Sequence, residues 1–463
     1  MNAPSVNAGP RLDRLPLARF HWKILGLISG GALLDAFDIY LAAGVVAAMV
    51  SQGFATLKSG SVFISATFIG MLIGSALAGW IGDRFGRRYS YQFNLAVFGI
   101  ASLLACFAPN IETLIGLRFV MGLGLGAELV VAAGTLSEFI PPAYRGRWIS
   151  LLGLMINSGL LVATLLGYMV IPNLGWRWMF AIAGGGAIVI WFMRKRMPES
   201  PRWLESVGRT AEAEAELANI EAQVERQTGK LPPVLGTQAT PSLLRHQPLS
   251  VLFSRPVIGR TLVAALVVVA VNVSVYGFVA WLPTFFVQQG LTVVKSLGFV
   301  TLMAFGSTGG AIVGYLLGDR IKRRHGLIAS SAATIVLGLI YPQMESTVGI
   351  AVIGFALVTA IYTFTTLGLY GYVPELFPTA FRLRGTGFAG VCGRAASIGT
   401  PYAAVALFQN FGITGVLMMV ISILCLLIVA LLVLRVETSG RPLEEIGTTL
   451  EEHIAGMAEE RQG

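Results

Sequence analysis

The sequence predicts an all-α integral membrane protein of twelve transmembrane helices arranged as two pseudo-symmetric halves of six. Three observations carry that prediction. Of 463 residues, 55% are hydrophobic and only 12% charged, with a mean hydropathy of +0.73, whereas ordinary soluble domains carry roughly 25% charged residues. Twelve apolar runs approach the roughly 20 residues that a helix needs to cross the hydrocarbon core. The third observation is an internal repeat. Gly82-Asp83-Arg84, inside the glycine-rich stretch Gly79–Arg88, returns as Gly318-Asp319-Arg320, 236 positions later (318 − 82). Ser137–Arg147 returns as Pro374–Arg384, with Glu138 and Glu375 spaced by 237 (375 − 138). Two unrelated motifs in one order at one offset indicate a duplicated unit, a construction common among membrane carriers.

The first six spans are expected at about 23–50, 61–81, 90–108, 112–136, 148–171 and 177–194, and the second six at about 258–286, 296–317, 327–343, 347–372, 386–408 and 412–435. This gives an N-terminal segment 1–22, a six-helix bundle 23–194, a linker 195–257, a second bundle 258–435 and a tail 436–463. Basic residues set the orientation. One set of loops holds Arg84, Arg87, Arg88, Arg145, Arg147, Arg194, Lys195, Arg196, Arg320, Lys322, Arg323, Arg324, Arg382 and Arg384, against Lys58, Arg177 and Lys295 opposite. Positive residues are retained inside, so both termini and the linker are expected in the cytoplasm of a bacterial-type cell, beneath its inner membrane. The polar first 22 residues contain no apolar core, so the first span is expected to serve as its own insertion signal. Within the linker, Arg209–Gln227 is rich in Ala and Glu and reads as a short amphipathic helix, ended by Pro232, Pro233 and Pro241.

A net charge of +9 would suit nucleic acid if it were concentrated, but the bases sit in short clusters between apolar runs, so no nucleic-acid partner is expected. Cys106, Cys392 and Cys425 lie inside apolar stretches without metal-like spacing and read as small buried hydrophobes. His21, His246, His325 and His453 are placed in hydrophilic segments. No metal site, cofactor or enzymatic nucleophile is expected. The bilayer and a small solute are the expected partners, and the protein is expected to act as a monomer.

These motifs resemble the major facilitator superfamily. Gly79–Arg88 is similar to its loop signature between spans two and three, and Arg118–Gly126 to its glycine-rich fourth-span signature. Pro198–Leu204 after span six, with Pro374–Arg384, is similar to sugar porters, organic cation and anion transporters, and bacterial nicotinate and aromatic-acid transporters. Two departures stand against a plain sugar porter: Tyr315 takes the first glycine position of the second loop copy, and Val436–Arg441 lacks the proline that begins the sugar porters' tail motif. The resemblance implies alternating access, with Asp83, Arg84, Arg88, Glu138, Arg145, Asp319, Arg320, Glu375 and Arg382 as gating charges; their other reading is topology and packing alone.

Charge at membrane depth is costly and normally faces a partner or a cavity. Asp35 and Asp38 fall in span one, Arg118 and Glu128 in span four, and Arg394 in span eleven. Two carboxyls one helical turn apart resist being ionised together, which makes them candidate proton carriers. By resemblance to proton-driven sugar porters, Asp38 is the coupling acid and Arg118 its partner; Asp35 is either the carrier or part of the substrate path, and Glu128 either a structural partner or a relay. Arg394 suits a bidentate anion, and the span around it is similar to organic anion transporters, where the matching Arg binds the anion; its other reading is a structural contact to one of the acids. The repeat offset relates Arg394 to Asn157 (394 − 237) and Asp35 to Asn272 (35 + 237), which suggests a shared polar centre. Tyr276, Trp281, Tyr370 and Tyr402 are the aromatic candidates for the same substrate site, with Tyr362 behind them. The expected function is therefore proton-coupled import of a small organic anion, with proton-coupled sugar or polyol transport as the alternative.

Overall fold

The computed structural model describes residues 6–195, 197–234, 249–318, 320–377 and 382–434. Every predicted span is helical. In chain order they are α2 (Arg19–Ser51), α3 (Leu57–Phe85), α4 (Arg87–Ala105), α5 (Ile111–Phe139), the broken span five formed by α6 (Pro142–Asn157) and α7 (Gly159–Leu174), and α8 (Arg177–Arg194), after a short α1 (Ala8–Asp13). Two linker helices follow, α9 (Pro201–Ser206) and α10 (Thr210–Thr228). Span seven is α11 (Arg255–Val273) continued to α12 (Leu282–Gln288); then come α13 (Val293–Gly318), α14 (Arg323–Ile340), and α15 (Thr347–Thr365) continued to α16 (Val373–Glu375). Spans eleven and twelve form one long element, α17 (Arg382–Leu434), bent at Gly412 where φ is +64°. Among the described residues, eight stretches are long and apolar enough by themselves to cross a membrane, one of them this double helix.

The chain divides into two compact units: Met1–Leu41, Ala66–Leu166 and Asn173–Pro241 in the first, and Ala42–Ser65, Gly167–Pro172 and Ser242–Gly463 in the second. Residues 42–65 and 167–172 therefore pack with the second unit, where Ser65 Oγ donates to the Ile398 carbonyl at 2.8 Å.

Glycines decide how closely the helices of each unit approach. In the first unit, Gly70 and Gly74 of α3 lie against the carbonyls of Phe119 and Leu123 on α5, while Gly122 and Gly126 of α5 lie against the carbonyls of Thr67 and Met71. A side chain at any of these four positions would run into backbone. In the second unit, Gly306 and Gly310 of α13 meet the carbonyls of Phe355 and Thr359 on α15. Each of these four contact residues stands 236 positions after its counterpart, Gly70, Gly74, Phe119 and Leu123 (for instance 310 − 74). The duplication thus preserves a backbone-on-backbone crossing, the kind of packing that associates helices where apolar burial supplies no drive.

The first unit also gathers the N-terminal segment. Leu12 of α1 and Leu217, Ile220 and Val224 of α10 share a buried core with Phe20, Ile24 and Trp148. His21 is fully buried within it, and its Nδ1 accepts the Ala18 N–H at 3.1 Å. This corrects the hydrophilic placement of that histidine: its polar neighbours in sequence hide a packed helix start. Cys425 is exposed and Cys106 and Cys392 are half-buried, so their expected full burial also fails, because apolar helices of this protein present many side chains outward.

Replacing Gly74 or Gly310 by Leu is expected to destabilise the detergent-purified protein by about 1–3 kcal/mol or more through overpacking. The same change at Gly134 or Gly309, which have nothing within 4 Å of an added Cβ, is expected to leave the thermal midpoint close to wild type.

Candidate functional site

Among the described residues, the first unit holds five charged side chains at membrane depth that are nearly inaccessible: Asp35, Asp38, Arg118, Glu128 and Arg194. Arg118 reaches from α5 to α2, where Nη1 donates to Asp38 Oδ2 at 2.5 Å and Nη2 to the Asp38 carbonyl at 3.0 Å. The sequence reading anticipated this pair by resemblance. It did not anticipate Arg194, which it assigned to the loop charges because that residue ends an apolar run. Arg194 instead turns inward from α8. Its Nη1 stands 2.5 Å from Glu128 Oε1, and the two form a close ion pair although that contact lacks hydrogen-bond geometry. Its Nε and Nη2 donate to the carbonyls of Leu27 and Ile28 at 2.9 and 3.2 Å, and its guanidinium carbon lies 4.5 Å from the Tyr91 ring centre.

The second unit carries the polar residues assigned to substrate. Spans seven and ten each widen into a π-helical turn, Ser274–Phe278 and Thr366–Tyr372, and these turns carry Tyr276 and Tyr370. Such turns are rare and recur at functional sites. Arg394 on α17 interacts electrostatically with Tyr276, and Tyr276 in turn with Tyr370. Asn272 Oδ1 accepts the Ser397 hydroxyl at 2.7 Å, one helical turn along α17 from Arg394. The structure therefore brings Arg394, Tyr276, Tyr370 and Asn272 into one neighbourhood. Trp281 and Tyr362 are fully buried; Trp281 belongs to an aromatic stack with Phe285, at 5.9 Å, and through it Phe408 at 4.1 Å. Tyr402 is 43% exposed. Asn157 is buried in the first unit at the end of α6, where span five is interrupted at Ser158.

The expected gating charges fall into two groups. In the first unit Arg145 Nη2 donates to Asp13 Oδ1 at 2.9 Å and its Nε to the Ile140 carbonyl; Arg202 donates to the same Asp13 oxygen at 2.6 Å and to the Glu138 carbonyl at 3.0 Å. The Arg88 N–H donates to Glu199 and its Nη2 to the Lys195 carbonyl at 2.7 Å. Arg84 is exposed. In the second unit Glu375 Oε1 accepts from Arg323 at 3.2 Å, and Arg323 also reaches the Gly318 carbonyl. Arg320 is exposed, while Asp319 and the side chains of Asp83 and Arg382 lie outside the described residues. The sequence reading did not pair Arg145 or Glu375 with Asp13 or Arg323, nor Asp13 with Arg202, although Arg202 sits inside the motif after span six.

Around the first group, α1 is strapped to the linker helices. Arg11 donates to both Glu214 and Glu221 at 2.6 Å, Arg14 to Glu221 at 2.6 Å, and the Asn7 and Ala8 N–H groups to Glu205 at 2.9 and 3.0 Å. Burial would raise the Glu221 carboxyl, but its hydrogen bonds and charge contacts with Arg11 and Arg14 outweigh that and hold it below the ordinary carboxylate range.

With this geometry in hand, comparison with known proteins is decisive. Residues 24–450 match the family described as Sugar (and other) transporter. The chain belongs to that family, within the major facilitator superfamily. It is a membrane transporter of small molecules and not an enzyme. It is 38% identical over 443 residues to the inner membrane metabolite transport protein YdjE of Escherichia coli strain K12, covering 95% of this chain and 98% of that one. It is 33% identical over 444 residues to the niacin transporter NiaP of Acinetobacter baylyi, covering 94% and 99%. Its fold is similar to a partially occluded inward-open structure of the xylose transporter XylE from E. coli, with a TM-score of 0.74 at 18% identity over 92% of this chain and all of that one.

Two outcomes follow for the first unit. Removing one member of the Asp38–Arg118 pair, as in Arg118→Gln, strands a buried charge and is expected to cost about 3–5 kcal/mol; the neutral double variant Asp38→Asn/Arg118→Gln recovers much of that in thermal unfolding. For the strap, the folded Glu221 value is depressed, so its contribution is complete above the unfolded value of about 4.3 and is lost as pH falls through the folded one. Hydrogen exchange over residues 6–14, corrected for intrinsic rate, is therefore expected to accelerate in that acid window, and Glu221→Gln should show the acceleration already at neutral pH.

Proposed function

We propose that this transporter imports a small organic anion together with a proton by alternating access. The observation that supports the anion is the place of Arg394 on α17, beside Gly393 and one turn from Ser397, which both pack on Asn272 of span seven, one turn before Tyr276 in its π-helical turn. A guanidinium offers a planar fork of donors to a carboxylate, and phenols orient its second oxygen or an attached ring. Nicotinate-like, aromatic and sugar acids have that chemistry, and the likeness to a niacin transporter supports the first of them. π-Helical turns lack the regular hydrogen-bond ladder, so spans seven and ten have a natural place to bend around a bound solute.

The proton component rests on the buried acids of the first unit. A proton taken up among these acids changes the charge balance that holds Asp38 to Arg118, so that α2 and α5 can shift relative to one another. Coupling one protonation to one helix rearrangement is what a symporter needs to bias two states. The proposed orientation places both termini and the linker in the cytoplasm, so import runs down the inward proton gradient. A second reading, proton-linked transport of a neutral sugar or polyol, is favoured by the fold likeness to a proton:xylose symporter and makes Arg394 a structural residue.

De-energised, lightly buffered cells making the protein are expected to alkalinise the medium when nicotinate and other pooled carboxylates are added, and not with pooled sugars and polyols. Arg394→Ala is expected to reduce the acid-driven signal by a factor of about 10–150, for loss of a charged hydrogen-bonding contact of about 1.5–3 kcal/mol. Alkalinisation by the neutral pool alone would establish the second reading, and undiminished acid uptake by Arg394→Ala would remove that residue from the site.

A further inference from the structure

Among the described residues, the five buried charges of the first unit do not balance. Asp38 has Arg118 and Glu128 has Arg194, each pair with its closest atoms 2.5 Å apart. Asp35 is the acid left over. It lies on α2 one turn beyond Gly31, and Gly31 is where the second pair packs: a Cβ there would meet the Arg194 guanidinium and stand 2.5 Å from Glu128 Oε1. Asp35 thus looks along α2 onto the Glu128–Arg194 pair, and its Oδ2 is buried without a hydrogen-bond partner among the described residues. The charges that face it are Glu128 from α5, Arg194 from α8 and Asp38 from its own helix; Tyr91 from α4 closes the far side of Arg194.

An ionised carboxylate in that position would put three negative charges against two positive ones in a site closed to water. A protonated Asp35 leaves the cluster neutral. Arg194 decides which acid takes the proton, because its two carbonyl contacts on α2 and its ion pair with Glu128 fix the guanidinium on the Glu128 side. On the proton-coupled reading given above, we infer that Asp35 holds the exchangeable proton and that Arg194 is a positioning residue that keeps Glu128 ionised and so leaves the proton on Asp35. Asp38–Arg118 then acts as the pair that separates during the conformational change, and the two layers divide the work of carrying charge and of moving helices.

The test reads protons without needing the substrate. Infrared spectra of the purified protein in lipid nanodiscs, recorded in H2O and D2O at neutral pH, are expected to show the carbonyl stretch of a buried protonated carboxyl. Asp35→Asn should remove it, and the charge-neutral double variant Asp38→Asn/Arg118→Gln should keep it. Arg194→Gln is expected to add a second such band as Glu128 loses its counter-charge. Arg194→Lys, and the double variant Arg194→Gln/Glu128→Gln, are expected to return to one. These gains and rescues cannot come from unfolding, which exposes and ionises carboxyls. A band that survives Asp35→Asn, or one absent from the wild type, overturns the assignment. Medium alkalinisation on adding nicotinate and the pooled carboxylates is scored separately: a wild type with the Asp35 band but no proton uptake sinks the symport reading alone, and proton uptake without the band sinks the Asp35 site alone.

Discussion

The constraint on which the first unit depends is the cost of charge in a place without water. Burying a carboxylate or a guanidinium is expensive, and the interior repays it only when partners are close and remaining hydrogen-bond groups are met. That requirement explains why α2, α5 and α8 are held in one register. Arg118 contacts both the side chain and the backbone of Asp38, and Arg194 contacts two α2 carbonyls as well as Glu128. Gly31 belongs to the same constraint, since only a residue without a side chain lets Arg194 approach α2 so closely.

Beside this charged centre stand helices whose regular geometry is interrupted. In the second unit the regular ladder of spans seven and ten is interrupted at Ser274–Phe278 and Thr366–Tyr372, and in the first unit span five is interrupted at Ser158. Both units are nevertheless braced by the same glycine crossing, α3 on α5 and α13 on α15. The pattern is a pair of stiff helix crossings, with chemistry placed on the less regular helices beside them. The copies differ at the ion pair: at offsets of 236 and 237 the counterparts of Asp38 are Ser274 and Val275 and those of Arg118 are Gly354 and Phe355, all uncharged, and Ser274 and Val275 lie in a π-helical turn.

The N-terminal segment illustrates a different economy. Its helix is too short to persist alone, and it is ordered by Arg11, Arg14 and Asp13 gripping α9, α10 and Arg145. Because Asp13 accepts from both Arg145 and Arg202, the loop after span four and the motif after span six share one carboxylate. Arg145, expected among the gating charges, thus shares with Arg202 a carboxylate that lies outside both motifs.

The spans, the duplication, the family resemblance and the acids within the spans were legible in the chain, because hydrophobic length, internal offset and the rarity of charge in apolar runs are properties of the sequence read in order. It also pointed to Asp38 with Arg118, through a motif, and to Arg394, through its isolation in span eleven. The folded chain adds that Arg194 faces inward, that Arg323 reaches Glu375, that Trp281 serves an aromatic stack, and that Tyr276 and Tyr370 ride on π-helical turns. The physical reason is the same in each case. Which way a long side chain at a helix end points, and whether a helix gains a residue in one turn, depend on helix rotation and on partners brought from distant sequence, and neither leaves a periodic trace in the chain.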